Sequence, residues 1–274
     1  MDLKNFLQSR AIIEISGTES KKFLQGLITN DINKISTNNL IYSAALNARG
    51  QFLYDFFIFE KDDKIMLDCS KNEIDEIIKK FGFYKLRSDI QIKKNEQILI
   101  AQSLDNIGFA DPRNKNLGYR IYDEKNKLEK LNLLLISQYH LLRIENKIAE
   151  GAFDLSKEKS YILEFGFNEL GAVDYNKGCY IGQELTARTH HLGEIRKKLF
   201  HIKIEGALEN YQAENFDALK GLEINCGDKK LGIILSTVLI KLELHALALI
   251  RLNEYNENIG GIFTAQNFKI SIIN

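Results

Sequence analysis

The sequence predicts an α+β protein that ends in a small all-β unit, most simply a barrel. Three observations predict it. Residues 51–60 form an apolar strand that turns at Lys61-Asp62-Asp63-Lys64 into a returning strand at 65–69. Ile74, Ile77, Ile78 and Phe81 then fall on one face of an amphipathic helix. Beyond Leu199, by contrast, Phe200, Ile202 and Ile204 alternate with polar residues, and helical spacing disappears.

In chain order, residues 11–16 are isoleucine-rich and read as a strand. Phe23, Leu24 and Leu27 give 18–27 helical spacing, with Thr18 as a suitable N-cap. Residues 40–46 read as a second strand, and Asn47-Ala48-Arg49-Gly50 as the turn into 51–60. Strict alternation would put Phe52, Tyr54, Phe56 and Ile58 on one face of that strand. Leu53, Asp55, Phe57 and Phe59 would share the other, so both faces should be covered. Short strands are expected at 90–93 and 97–101, and a helix at 138–148. Cys226-Gly227-Asp228-Lys229-Lys230 reads as a hairpin turn, followed by apolar, β-branched strands over 233–250. With one proline and no repeat or low-complexity tract, the expected units are 1–196 and a closely packed 197–274.

The 274 residues carry 37 basic and 37 acidic side chains, so no overall charge draws the chain to nucleic acid or an anionic membrane. Its three cysteines, Cys69, Cys179 and Cys226, are odd in number and far apart. They suit free thiols in a reducing compartment rather than a disulfide framework. The N-terminal MDLKNFLQSR has neither the apolar core of a signal peptide nor the Arg/Ser-rich helix of an organelle presequence. No run reaches the roughly 18 apolar residues that cross a bilayer. A soluble, cytoplasmic protein is the expectation.

Four places could carry chemistry. In Lys177-Gly178-Cys179-Tyr180-Ile181-Gly182-Gln183-Glu184, two glycines bracket a cysteine. Glycine permits backbone shapes that could hold the thiol accessible, and Lys177 and Arg188 could favour its thiolate. A small buried thiol at a helix entry would fit the same spacing. Asp55 sits among apolar neighbours, so it must face a ligand cavity or accept bonds from loop amides or an arginine such as Arg49. Glu164, in Tyr161-Ile162-Leu163-Glu164-Phe165-Gly166-Phe167, poses the same choice; it could bind a flat pair of donors, a pterin edge or a guanidinium. His190-His191 reads as part of a solvated loop between the units rather than a metal site. The G-x-x-x-x-G-K-[ST], G-x-G-x-x-G and H-E-x-x-H patterns are all absent.

At KGCYIGQE, continued by LTARTHHLGEIRKKL, the chain resembles the YgfZ family of folate-binding proteins, and in particular its branch of mitochondrial iron–sulfur assembly factors. SGTESKKFLQGLITNDI, LNARGQFLYDFFIF, FGFYKLRSDIQI, FADPRNKNLGYR and YILEFGFNELGAVDYNKGCY resemble further family segments in the same order. The resemblance implies a T-protein-like ring: two interleaved α+β lobes, a C-terminal β-barrel and a central folate cavity. It also implies that Glu164 holds the pterin edge and that Asn47, with the strand from Gln51 through Tyr54 to Asp55, lines the cavity. Lys177 and Arg188 would flank the site. Cys179 would be the functional residue, a ligand to a transient iron–sulfur cluster. A partner, an A-type scaffold protein, would have to complete that cluster, because a cluster normally takes four ligands. Client iron–sulfur enzymes would follow. Where T-proteins carry two aspartates, this chain has Tyr54-Asp55. The missing acid argues against aminomethyl transfer, although a tetrahydrofolate-dependent one-carbon transferase, acting on an amine or on tRNA through Asp55, is the alternative. A module that has lost folate binding is a third reading.

Overall fold

The computed structural model describes residues 5–206, 211 and 215–273. Residues 1–4, which begin the segment read for a leader, lie outside the described residues; so do 207–210, 212–214 and 274 of the expected β unit.

The first lobe is built on a five-stranded antiparallel sheet. Its strands are β1 (Arg10–Ser16), β2 (Ile41–Leu46), β3 (Phe52–Lys61), β4 (Lys64–Ser70) and β5 (Gln91–Asn95), in the spatial order β2-β3-β4-β1-β5. Helix α1 (Ser20–Gln25) follows β1, and α2 (Ile74–Lys85) follows β4. Glu19, not Thr18, occupies the N-cap of α1, and the Thr18 hydroxyl is spent on Asp89 (2.8 Å). The β3–β4 turn is tight because Asp62 and Asp63 both take positive φ, as a two-residue hairpin requires.

Both faces of this sheet are covered, for the reason the sequence suggested. Tyr54, Phe56 and Ile58 pack with α1 and α2, while Phe57 and Phe59 face the second lobe. The alternation slips at the start of β3. The pairing register shifts between Ala45 and Leu46, so Phe52 joins the Phe57 side and Leu53 the Tyr54 side.

Strands β6 (Leu99–Ser103), β7 (Phe109–Ala110) and β8 (Tyr119–Asp123) form a second sheet, ordered β6-β8-β7. Helices α3 (Lys125–Leu128), α4 (Ile136–Glu145) and α5 (Gly151–Asp154) follow. A 3-10 turn at Ile162–Phe165 and α6 (Gln183–Leu192) complete this part. His190 and His191 lie in the last turn of α6 rather than in a loop, with His190 stacked 3.9 Å from Tyr175.

The C-terminal strands close into a barrel. In space β10 (Glu223–Cys226), β11 (Lys229–Ile240), β12 (Glu243–Arg251), β9 (Lys197–Glu205), β14 (Phe268–Ile273) and β13 (Phe263–Ala265) follow one another, and β13 pairs back onto β10. A short helix, α7 (Leu252–Glu257), joins β12 to β13. Closure leaves no exposed sheet edge and gives the unit its own core of Ile202, Ile204, Ile224, Leu231, Ile234 and Ala246. The barrel docks onto the second lobe through Leu199, Leu235, Val238, Leu247 and Leu249, which join the lobe's core, and through polar bonds. Arg143 of α4 donates to Asp154 and, at 2.8 Å, to Ser236 of β11, and the Ser236 amide donates to Asp154 (3.1 Å). Among the described residues no helix is long and apolar enough to cross a membrane.

Candidate functional site

The thiol-bearing segment is held by what lies beneath it. Lys177 donates to the carbonyls of Gln25, Ile28 and Asn30 at 2.6–2.9 Å, tying the segment to the end of α1. Burial pushes its pKa down to about 8, so it stays mostly charged at neutral pH. Its three N–H donors are thus spent on carbonyls rather than on the cysteine. The Ile181 amide donates to Gly26 O, and the Thr29 hydroxyl to Ala172 O.

Gly182 caps α6 with φ +82°, and a side chain there would put its Cβ 2.4 Å from Asn47 O. Opposite, Gly50 takes φ +74°, and its Cβ would come within 3.1 Å of Gly182 O. Two glycines thus interlock the 47–50 turn with the start of α6, where no larger residue fits. Above this contact Cys179 is exposed, while Cys69 is buried and burial pushes its thiol pKa up. Arg188 is exposed on α6.

Two adjoining hollows border the 161–166 turn. One, of about 220 Å³, is lined by Gly50, Tyr161, Ile162, Leu185, Thr186 and Thr189 among others. The second, of about 290 Å³, has Arg113, Asn114, Asn146, Lys147, Glu169 and Lys198 on its walls. Leu163, Glu164 and Ile195 border both. The Glu164 side chain is 21% exposed and accepts a bond from Lys197 (3.1 Å). A third, open depression with Arg196, Lys197 and Arg251 continues from the first past Glu194 and Arg196.

Three sequence-predicted cavity residues lie elsewhere. Asp55 is only 1% exposed, because its carboxylate accepts from Arg10 (3.0 Å), the Tyr42 hydroxyl (3.0 Å) and the Gly151 amide (3.2 Å). The arginine is Arg10, two strands away, and not Arg49. Tyr54 points to the opposite face of the sheet, where its hydroxyl donates to Glu76 (2.8 Å). Asn47 shapes its own turn, accepting from the Arg49 and Gln51 amides, and Gly50 rather than Asn47 lines the hollow.

Asp55 belongs to a buried charge network that the sequence left unread. Arg10, Arg113 and Arg120 meet Asp55, Asp68, Asp111 and Glu150. All three guanidiniums lie over the Phe57 ring, at 3.8–5.4 Å. Burial alone would raise the Glu150 pKa, but Arg10, Arg113 and Arg143 hold the carboxyl well below the usual range. The one available signal was charge inside apolar strands: Arg10, Asp68 and Arg120 all sit in runs that must be buried.

The architecture, two α+β lobes followed by a closed six-stranded barrel, is the aminomethyltransferase T-protein fold. A solved structure with this fold is the glycine cleavage system aminomethyltransferase T from Bartonella henselae (TM-score 0.72, 12% identity, 98% of this chain and 84% of that one). The chain is homologous to iron–sulfur cluster assembly factors of the IBA57 kind, the YgfZ-type kinship that KGCYIGQE pointed to. It is 31% identical over 221 residues to the mitochondrial homologue from Mycosarcoma maydis, matching 69% of this chain and 54% of that protein. It is 28% identical over 237 residues to the mitochondrial factor of Mus musculus, matching 74% and 66%. The chain thus spans between about half and two-thirds of the length of these curated relatives. No protein-family model matches it. The cytoplasmic location expected from the sequence is corrected by these relatives, which carry mitochondrial names.

Proposed function

We propose that this chain is a folate-binding accessory protein in the assembly or repair of iron–sulfur clusters, with Cys179 as the residue that touches the cluster. The observation that supports the reading is that the loop bearing the thiol leads directly into the helix that lines the hollow. Gly50 lines the first hollow and packs on Gly182, and the helix that begins there lines the same hollow with Leu185, Thr186 and Thr189. The homology to assembly factors supports the cluster chemistry.

The hollow fits a pterin. Ile162, Leu163, Leu185 and Ile195 offer apolar walls to a flat ring, and Glu164 offers a carboxylate to a pair of ring N–H donors. Arg196 suits a carboxylate of a glutamyl tail; Lys197 and Arg251 of the same depression already pair with Glu164 (3.1 Å) and Glu254 (3.5 Å). Folate would supply a one-carbon carrier or a wedge that fixes the lobes; the chain's own residues bind and orient it.

The cluster is cargo. Among the described residues no group of three or more His, Cys, Asp or Glu could hold a metal, so Cys179 supplies one ligand and a scaffold protein of the A type supplies the others. An exposed thiol in a loop pinned by Lys177 can meet such a partner without unfolding anything. One-carbon transfer through Asp55 would need that carboxylate at the ligand, and it is spent on Arg10, Tyr42 and Gly151.

Anaerobic copurification with an A-type scaffold, followed by visible absorbance and iron analysis, tests the reading. Wild type should carry a shared cluster and Cys179→Ser should not, while tetrahydrofolate affinity stays the same in both. Equal iron in the two proteins would refute the role of Cys179.

A further inference from the structure

We propose that Lys197 changes partner when a ligand binds: the ammonium that neutralises Glu164 in this structure passes to a carboxylate on the ligand's tail once a pterin ring takes Glu164. The site therefore selects pterins that carry an anionic tail over neutral ones. The inference rests on the folate reading above and deepens it by naming a residue that reads the tail.

Lys197 Nζ donates to Glu164 Oε2 at 3.1 Å, and among the described residues this is the only side-chain bond that Glu164 makes. The bond spans two places. Glu164 borders the first and second hollows, whereas Lys197 lines the third depression, which shares Glu194 and Arg196 with the first hollow. A pterin that pairs its N3–H and 2-amino group with Glu164 uses both carboxylate oxygens, in the parallel geometry that a guanidinium would use. Lys197 holds one of the two. The pair is easily given up, because its side chains are 37% and 21% exposed and lysine carries its charge on a flexible stem. The ammonium can leave without moving β9.

Strand pairing sets where it goes. Lys197 stands directly opposite Arg251 in the β9–β12 ladder, and both line the third depression with Arg196. Like charges opposite each other in a sheet repel. Here each has a carboxylate, Lys197 on Glu164 and Arg251 on Glu254. Once a ligand takes Glu164, the depression holds Arg196, Lys197 and Arg251 against only Glu194 and Glu254. One more anion restores the balance, and a tail that leaves the ring past Glu194 and Arg196 supplies it. A neutral ligand displaces the ammonium and gives it no such partner. Glu194 is exposed, so a pair with it in water offsets little of that loss.

The test is calorimetric titration of the full chain with folic acid and with its α,γ-diamide, which share one ring and differ in charge. Wild type, Lys197→Met and Arg196→Met are compared. Lys197→Gln, also uncharged, guards against a methionine variant that fails to fold, and thermal unfolding checks each protein. Wild type should prefer folic acid at least tenfold. Lys197→Met should bind the diamide at least threefold more tightly than wild type, because the ring no longer competes with an ammonium. The preference should then shrink to threefold or less. Arg196→Met should weaken folic acid and leave the diamide unchanged, so a gain for the neutral ligand is the mark of Lys197. A diamide affinity that stays level or falls in the folded Lys197 variants would mean that the ammonium keeps Glu164 with the ring in place, and would overturn the inference. A gain with the tenfold preference intact would assign the tail to Arg196 and overturn it too. Equal affinity of wild type for the two compounds would also overturn it while leaving folate binding intact. Binding of neither compound would overturn the folate reading itself.

Discussion

Replacing Asp55 by alanine separates a structural carboxylate from a catalytic one. Its oxygens accept three bonds, from Arg10 Nη1, Tyr42 Oη and the Gly151 amide, all in a region closed to water. Arg10 keeps Asp68, through Nε (2.6 Å) and through the Asp68 carbonyl (2.8 Å), so it loses one of three anchors. The Tyr42 hydroxyl and the Gly151 amide lose an acceptor each, at about 1–3 kcal/mol per orphaned donor. Removing one member of a buried ionic set typically costs about 3–5 kcal/mol, and Asp55→Ala should fall in that range. Asp55→Asn keeps the shape and one carbonyl acceptor but turns an amide donor toward one of the three donors. It should cost less, about 1–3 kcal/mol. Urea unfolding reads both: midpoints should fall in the order wild type, Asn, Ala, with the slope unchanged. Folate affinity of the folded Asn variant should match wild type. An Asp55→Ala protein as stable as wild type but unable to bind folate would refute this account and return Asp55 to the cavity.

Three further perturbations test the scaffold. Gly182→Ala should lower stability by about 2–4 kcal/mol, since a left-handed backbone costs about 1–2 kcal/mol for a non-glycine residue and the Cβ also meets Asn47 O at 2.4 Å; alkylation of Cys179 should change rate in the same variant, and unchanged stability would count against the interlock. Lys177→Met should cost about 2–4 kcal/mol by orphaning the carbonyls of Gln25, Ile28 and Asn30, readable as a loss of amide-exchange protection in α1 and 172–181. His201 and His245 share a 2.9 Å bond where β9 and β12 pair; burial, with Lys203 nearby, lowers both pKa values, and His245 adds to the shift of His201, from 6.5 to about 4. The unfolded chain then binds more protons between pH 6.5 and 4, so stability should fall as pH drops through that window; His201→Gln should flatten the melting temperature against pH, and an equally steep curve would assign the slope to other groups.

What the sequence disclosed depended on how local the cause was. The β3–β4 hairpin, the α2 face and the barrel strands were legible because period and turn chemistry act over a few residues. The faces of Phe52 and Leu53 were not, since the bulge that exchanges them arises from pairing with Ala45 and Leu46. The glycines around Cys179 signalled a special backbone, yet Lys177 misled: its charge was visible, but its carbonyl partners lie about 150 residues away. Asp55 shows the same limit. A buried acid must have a partner, and sequence favoured the nearby Arg49, whereas Arg10 reaches it across β4. Glu164 was legible as an acid in an apolar run, but the hollows beside it are built from the 161–166 turn, α6 and the start of β9, which only the fold brings together.

That assembly explains why so much charge is buried here. The hollow is made of parts that hydrocarbon packing alone would let slide, because apolar contacts are non-directional. Directional bonds run instead from the barrel inward. Ser236 binds Asp154 and Arg143, Asp154 accepts the Glu150 amide (2.8 Å), and Glu150 lies between Arg10 and Arg113. Asp55 then ties Arg10 to Gly151, and Arg113 ends the chain of bonds at the wall of the second hollow. Four acids against three arginines leave a net negative cluster, which the hydroxyls of Tyr42, Tyr122 and Tyr139 help to satisfy. Such a network adds less stability than an equal volume of leucine would. What it adds is one register of lobe against barrel, and with it the mutual placement of the 161–166 turn, α6 and the start of β9 that wall the hollows.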